Sequence, residues 1–306
     1  MSRAYVFTRH GGPEAESFID RPPPSPGPGQ LLVAVRAAGV NPVDWKLRSG
    51  YRRPGSPPAE LPEVLGSEAA GVVVATGPDV EGFAVGDAVF GSTLTGGYAE
   101  HTLLPVAVAA HKPAALSFTD AAALPVAAAT AFDAFDQLGL ARGATLLITG
   151  AGGGVGVAAA QIARGRGIRV LGTASTAKRE FVESLGAVHL APGPDLAERV
   201  RAAAPDGVDA VLDLVGGAVL RAAAGLLTDR TRLVSAADKG TVSELGGAAV
   251  VRLRTAAVLD EVARLVLDGT LDPHVTRIFP LERAGEALRA VESGHAQGKI
   301  VIEVAA

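Results

Sequence analysis

Along the first third of the chain, apolar and polar residues alternate in short runs broken by glycine and proline. Gln30–Ala37 (QLLVAVRA) has the period-two pattern of a strand with one buried face, and it stops at Gly39. Gly71–Ala75 (GVVVA) and Asp87–Phe90 read as further short strands, punctuated by Gly77-Pro78 and Gly86-Asp87. No strand–helix rhythm intervenes, so this region predicts a small antiparallel barrel. Near Ser117 the pattern changes. Thr119–Gly139 is helical in period, with Ser117 or Thr119 as N-cap and Gly139 as the stop. Strands then alternate with helices: Thr145–Thr149, Val155–Arg166, Arg169–Thr173, Ala177–Leu185, Asp195–Ala204, Val208–Asp213, Ala218–Leu226 and Arg232–Ser235, followed by a helix at Val258–Leu267. Such alternation predicts an α/β fold, a parallel sheet covered by helices on both faces. The last apolar run, Gly298–Val304 (GKIVIEV), is a strand that returns to the first domain or extends the parallel sheet. The expected division is a β-rich domain of residues 1–118 and 271–306, and an α/β domain of residues 119–270.

Composition narrows the classes. The chain has 306 residues, 48% of them apolar, enough for two cores. A formal net charge of −4 argues against broad nucleic-acid or anionic-membrane partners. With no cysteine, disulfides, thiolate nucleophiles and Cys-ligated zinc are excluded together. Met1–His10 has no apolar run of signal-peptide length. The uncharged stretch Ala144–Ala163 is broken by Gly150, Gly152, Gly153, Gly154 and Gly156, which fits a soluble strand–turn–helix rather than a bilayer span. A cytoplasmic protein is expected. The Pro-rich run Arg21–Gly29 reads as a loop between strands.

The chemistry concentrates at LLITGAGGGVGVAAAQIA, residues 146–163. A strand enters, a glycine turn follows and a helix leaves. Ala151, Gly153 and Gly156 form A-x-G-x-x-G, a variant of the dinucleotide fingerprint of a Rossmann domain. A side chain at Gly153 would block the pyrophosphate, and Gly156 lets the helix approach the sheet. Gly150, Gly154 and Val155 complete the cradle, where the helix N-terminus offers N–H groups to the phosphates. At the end of the next strand an NAD site places an acid on the ribose. Here Gly172–Arg179 reads GTASTAKR, with no acid before Glu180. Ser175, Lys178 and Arg179 suit a 2′-phosphate instead, so NADPH is the expected cofactor.

Several further strings stand in a telling order: Gly39–Lys46 (GVNPVDWK), Gly66–Gly71 (GSEAAG), Gly86-Asp87, Gly97–Glu100 (GYAE), the turn at 150–156 and the terminal GKIVIEV. In this order the chain resembles the quinone oxidoreductases and related enone reductases of the medium-chain dehydrogenase/reductase family, over nearly its whole length. The resemblance implies a GroES-like, mainly β barrel domain beside the Rossmann domain, and a homodimer. Zinc-dependent members carry Cys where Asn41 stands and His where Ser67 stands, so no metal is expected. The six histidines have no metal spacing. The implied reaction moves a hydride from NADPH to a quinone or an α,β-unsaturated carbonyl, with hydrogen bonds polarising the substrate oxygen.

Asn41 and Lys46 are the candidate donors, although the family often has Tyr where Lys46 stands. Trp45 either stacks on a flat ring or fills core, and Asp44 holds local structure. Tyr51, Arg52 and Arg53 border the substrate mouth or form a solvated loop. By resemblance Thr130 touches the nicotinamide ribose, Val215-Gly216-Gly217 forms the loop beneath the nicotinamide, and Lys299 reaches the cleft or the phosphates. The apolar run Leu245–Leu253 is a candidate dimer edge or a buried strand. Two other readings stay open: an enoyl-type reductase of a biosynthetic pathway, and an NADPH-binding sensor or interaction protein with little turnover.

Overall fold

The computed structural model describes residues 1–52 and 60–305. The chain forms two units, residues 1–126, 254–267 and 275–306 in the first and residues 127–253 and 268–274 in the second.

The first unit is built on a seven-stranded sheet. Its order runs Val275–Pro280, Lys299–Glu303, Gln30–Val40, Glu68–Thr76, Ala88–Ser92, Ala109–His111, and His101–Pro105 also pairs with Gln30–Val40. Every pairing is antiparallel except the parallel one of Val275–Pro280 with Lys299–Glu303. The terminal strand therefore does return to the first domain. It pairs with residues 37–40, and this extends Gln30–Val40 past the predicted end at Ala37. A smaller sheet of Glu16–Arg21, Ser2–Phe7 and Glu63–Val64 was not apparent in the pattern. Phe7, Leu65, Tyr98, Leu288 and Ile302 belong to one buried cluster of this unit, and Trp45 packs against it.

A short helix, Pro42–Arg48, follows the long strand. Pro42 is no breaker here. It sits in the first turn, where its missing N–H costs nothing. The Asn41 N–H donates to the Asp44 carboxylate at 2.9 Å and closes the helix start.

The stretch expected as one helix from Thr119 is three segments. Phe118–Ala122 is capped by Ser117, whose hydroxyl accepts from the Asp120 N–H. A wide π turn, Leu124–Ala128, holds Pro125, and Ala129–Leu138 ends on Gly139 in the left-handed region, φ 56°. The units divide inside that wide turn rather than at residue 119, because Phe118–Ala122 packs on the barrel strands. The helix Ala256–Leu267, expected in the α/β domain, also belongs to the first unit, since it packs on Val106–His111.

The second unit is a six-stranded parallel sheet. The order is Val188–Leu190, Arg169–Thr173, Thr145–Thr149, Ala210–Asp213, Leu233–Ser235, Ala248–Ala249, that is 3-2-1-4-5-6 in chain order. This is the order of a dinucleotide-binding sheet, which collects ligands at the carboxyl ends of its strands. Leu146, Leu147 and Ile148 are wholly buried, as a strand covered on both faces requires.

Candidate functional site

In the second unit the glycine turn lies at the carboxyl end of the central strand. The Ala151 N–H donates to the Thr173 carbonyl at 2.9 Å, and the Gly150 N–H to the Thr173 hydroxyl at 3.2 Å. The turn is thus tied to the end of the neighbouring strand. A Cβ on Gly156 would lie 2.5 Å from the Gly150 carbonyl oxygen and 2.6 Å from the Ala151 Cα. Backbone occupies both positions, so Gly156 is required by the turn itself. Gly153 differs. Its φ is −92°, open to any residue, and a Cβ there would meet nothing nearer than 3.6 Å. The fold leaves that space open, so the glycine at this position is not required by the turn itself. Gly153 also caps the helix Gly154–Gly165 without a side-chain hydrogen bond, and no acid stands in the first turn. That end, which includes Gly154 and Val155, is therefore suited to an anion.

Two expected cofactor residues, Lys178 and Val215, border this turn. Lys178 lays its stem over it, since a Cβ on Gly152 would stand 2.7 Å from the Lys178 Cδ. Partial burial pushes the Lys178 ammonium below the usual lysine range. Ser175 and Arg179 are exposed on the same segment. Val215, exposed, lies against Gly150, where a Cβ would be 3.1 Å from its Cγ2. Thr130 is buried in the helix Ala129–Leu138.

Sequence reasoning missed the group that organises the Val215 loop. Asp213 is wholly buried and accepts from the Thr149 hydroxyl at 2.7 Å, the Ser235 hydroxyl at 2.6 Å and the Gly216 N–H at 3.0 Å. A carboxylate satisfied by two neighbouring strand ends and by a loop N–H fixes that loop against the sheet. Its donors are 64 and 22 residues away for the two hydroxyls, so no local motif marks it.

In the first unit, Asn41, Glu68 and Lys299 form one buried cluster. The Asn41 amide donates to Glu68 Oε1 at 2.7 Å and, weakly, to the Gly39 carbonyl at 3.4 Å. The Lys299 ammonium donates to Asn41 Oδ1 at 2.7 Å, Glu68 Oε1 at 2.8 Å and the Val40 carbonyl at 3.3 Å. Glu68 Oε2 accepts the Val126 N–H at 2.7 Å from within the wide turn beside Pro125. Gly39 makes room for this carboxylate, because a Cβ there would be 2.0 Å from Glu68 Oε1.

Two expectations change here. The Lys299 ammonium spends its three N–H bonds inside the barrel, so it is not a phosphate ligand in this arrangement. The Asn41 amide has both N–H bonds engaged and offers none to a substrate oxygen. Asp44, wholly buried, accepts from Ser67 at 2.7 Å, Tyr98 at 2.8 Å and the Asn41 N–H. Burial pushes its carboxyl above the usual range despite these bonds, and the Glu68 charge adds to the rise. Burial raises the Tyr98 phenol as well. Ser67 also lines a cavity of about 40 Å³ with Gly66, Thr93 and Leu94. Trp45 is partly buried against core, with the Lys46 ammonium 5.8 Å from its ring. Tyr51 is exposed, and Arg53 lies outside the described residues.

Comparisons with known proteins match two family domains along the chain. Residues 27–114 match the alcohol dehydrogenase GroES-like domain, and residues 185–302 match a domain described as zinc-binding dehydrogenase. The quinone oxidoreductase of Sus scrofa is 32% identical over 324 residues, covering 99% of this chain and 97% of that protein. The chain belongs to the medium-chain dehydrogenase/reductase family. A stretch of polyketide synthase GfsB from Streptomyces halstedii is 38% identical over 295 residues and covers 90% of this chain, but the chain spans only 5% of that protein's length. Among solved structures, the quinone oxidoreductase from Coxiella burnetii superposes with a TM-score of 0.89 at 32% identity, covering 99% of each chain. A mycobacterial protein complexed with NADPH gives 0.88 at 30% identity, covering 99% of this chain and 100% of that one. The CurK enoyl reductase gives 0.87 at 26%, covering 99% of each.

One part of that family description does not fit this member. Zinc takes thiolate, imidazole or free carboxylate donors. Here Asn41 and Ser67, where the resemblance places Cys and His ligands in zinc-dependent members, are both bonded to carboxylates, and an ammonium lies 2.8 Å from Glu68. Among the described residues no group of three or more His, Cys, Asp or Glu side chains is placed to hold a metal ion. Nor, among them, is any helix long and apolar enough to cross a membrane.

Proposed function

We propose that this family member is an NADPH-dependent reductase of quinones or α,β-unsaturated carbonyls. The observation that carries the cofactor choice is the acid-free segment Ala174–Arg179, with the Lys178 stem lying over Gly152 of the phosphate turn. An ammonium held partly out of water gains strongly from an anionic neighbour. In this reading Gly150–Gly156 and the helix N-terminus hold the pyrophosphate, Ser175, Lys178 and Arg179 hold the 2′-phosphate, and Val215 and Thr130 border the nicotinamide end. Bound NADPH supplies the hydride. Its addition to a conjugated carbon leaves negative charge on the substrate oxygen, where one placed donor is worth about 3 kcal/mol. Lys46 is the donor in this reading, because Asn41 has no N–H to spare. Trp45 and Tyr51 offer aromatic surface to a flat substrate. The expected homodimer is assigned to the edge strand Ala248–Ala249 and the exposed Val251 and Leu253 beside it.

Similarity to a segment of a polyketide synthase and to an enoyl reductase favours a second reading, an enoyl-type reductase acting on a biosynthetic intermediate. One experiment separates these. NADPH and NADH are titrated into wild type and Lys178→Ala, then turnover is measured on quinones, simple enones and enoyl thioesters. The first reading expects tighter NADPH binding, lost in the variant, and turnover of quinones or enones. Turnover confined to thioesters favours the second. Equal affinity for both cofactors sinks the NADPH assignment, and tight NADPH binding without turnover anywhere leaves a sensor.

A further inference from the structure

The strand Val188–Leu190 carries a buried imidazole that neither the phosphate turn nor the apolar core calls for. His189 is only 8% exposed. Its Nε2 lies 2.8 Å from the Ala174 carbonyl oxygen. A carbonyl only accepts, so Nε2 carries a hydrogen and donates it. Nδ1 is shut off from water and has no hydrogen-bond partner. A leucine would fill this space without stranding a polar nitrogen. What the imidazole adds over an apolar side chain is therefore the single Nε2–H bond.

That bond falls at a point where the chain is about to leave the sheet. Gly172 pairs with His189 and Thr173 with Leu190. One residue on, the Ala174 N–H donates to the Leu190 carbonyl at 3.3 Å, while the Ala174 carbonyl receives His189. Ala174 is thus held on both its N–H and its C=O by the neighbouring strand. Ser175 then begins the exposed turn, which the Lys178 N–H closes onto the Ser175 carbonyl at 2.9 Å. Thr173, just before, is tied to the glycine turn through Ala151 and Gly150. The imidazole completes a clamp on the last sheet-bound step before the segment that carries Ser175, Lys178 and Arg179.

We infer that His189 is a positioning residue for cofactor choice: by holding the Ala174 carbonyl it sets the path of the Ser175–Arg179 turn. This rests on the NADPH reading above. A 2′-phosphate is recognised by charge-assisted bonds from several short arms, which lose strength when their backbone shifts. NADH lacks that phosphate and is indifferent to such a shift. His189 acts through the backbone and does not itself touch the cofactor.

The test compares wild type, His189→Leu, His189→Gln and Lys178→Ala by NADPH and NADH titration, with melting of each protein measured without cofactor. His189→Leu is expected to weaken NADPH by about 10-fold, the scale of one lost buried hydrogen bond, with NADH changed by less than about 2-fold. His189→Gln, whose amide N–H reaches the same carbonyl, is expected to keep the wild-type preference. Equal weakening of both cofactors, or of neither, overturns the inference. If wild type shows no preference for NADPH, the cofactor reading fails and the inference falls with it. If Lys178→Ala loses the preference while His189→Leu keeps it, the inference alone fails. Should His189→Leu not fold, isotope-labelled histidine in the wild-type protein decides the matter. The His189 Nε2–H resonance is expected to move with 2′,5′-ADP and not with 5′-AMP, and an identical response to both overturns the inference.

Discussion

Replacing Lys299 with methionine tests the buried cluster of the first unit. Methionine keeps a flexible chain of similar length and removes the ammonium. Glu68 then loses its 2.8 Å ion pair, and Asn41 Oδ1 loses its 2.7 Å donor. What remains for Glu68 is the Asn41 amide on Oε1 and the Val126 N–H on Oε2. Both partners of the pair are almost wholly out of water, with side-chain exposures of 4% and 0%. Stripping one partner from a buried pair costs about 3–5 kcal/mol, since the other charge is left unpaired. Adding Glu68→Gln removes the stranded charge, so the double variant should be more stable than Lys299→Met alone. The chain has one tryptophan, Trp45, and it packs on the core of this same unit. Urea unfolding followed by its fluorescence therefore reads the unit that carries the pair, and a double-mutant cycle yields the coupling. A Lys299→Met protein within about 1 kcal/mol of wild type would refute the reasoning, as would a double variant less stable than the single one.

Gly153→Ala should fold with a wild-type melting temperature yet bind NADPH at least about 10-fold more weakly, because its Cβ meets only the space proposed for the pyrophosphate. Gly156→Ala should lower the melting temperature as well, since its Cβ strikes backbone 2.5 Å away, and equal stability of the two variants would contradict this. Asp44→Asn addresses pH. The Asp44 carboxyl is raised in the folded protein, so its contribution is fullest below the ordinary aspartate range and is lost as pH rises through the folded value. The amide of the variant cannot titrate, so the variant should gain stability relative to wild type on going from pH 4 to pH 8, read by Trp45 fluorescence. A difference independent of pH would count against a raised carboxyl. Elemental analysis of the purified protein should find no stoichiometric zinc, and a stoichiometric zinc lost on chelation together with activity would contradict the donor argument.

Much of the second unit was legible because its determinants are local. The strand Thr145–Thr149 was read with the observed ends, Arg169–Thr173 likewise, and the left-handed Gly139 ends its helix as expected. The first unit was harder. Helix Pro42–Arg48 was hidden by a proline that suits a first turn. Pro125 misled in the other direction, since it sits in a wide turn whose Val126 N–H is taken by Glu68 rather than by a helix carbonyl. Helix Ala284–Glu292 was not read either, although Ala284, Ala287 and Leu288 bury one clear face of it.

By itself, the chain order determined the cofactor turn. Its glycines, the strand before it, the helix after it and the missing acid lie within residues 146–180. Steric and electrostatic demands at that range act between near neighbours and leave a spacing that can be read. The tertiary structure alone decided the duties of Asn41 and Lys299. They are 258 residues apart, and each looked available for a ligand. Burial of the Glu68 carboxylate claims them both, because a charge removed from water must be satisfied by whichever donors the fold brings within reach. The same holds for Asp213 among its strand ends and for His189 on the Ala174 carbonyl. Which buried groups need partners, and which partners they take, is set by the packing of segments far apart in the chain, and no local pattern records it.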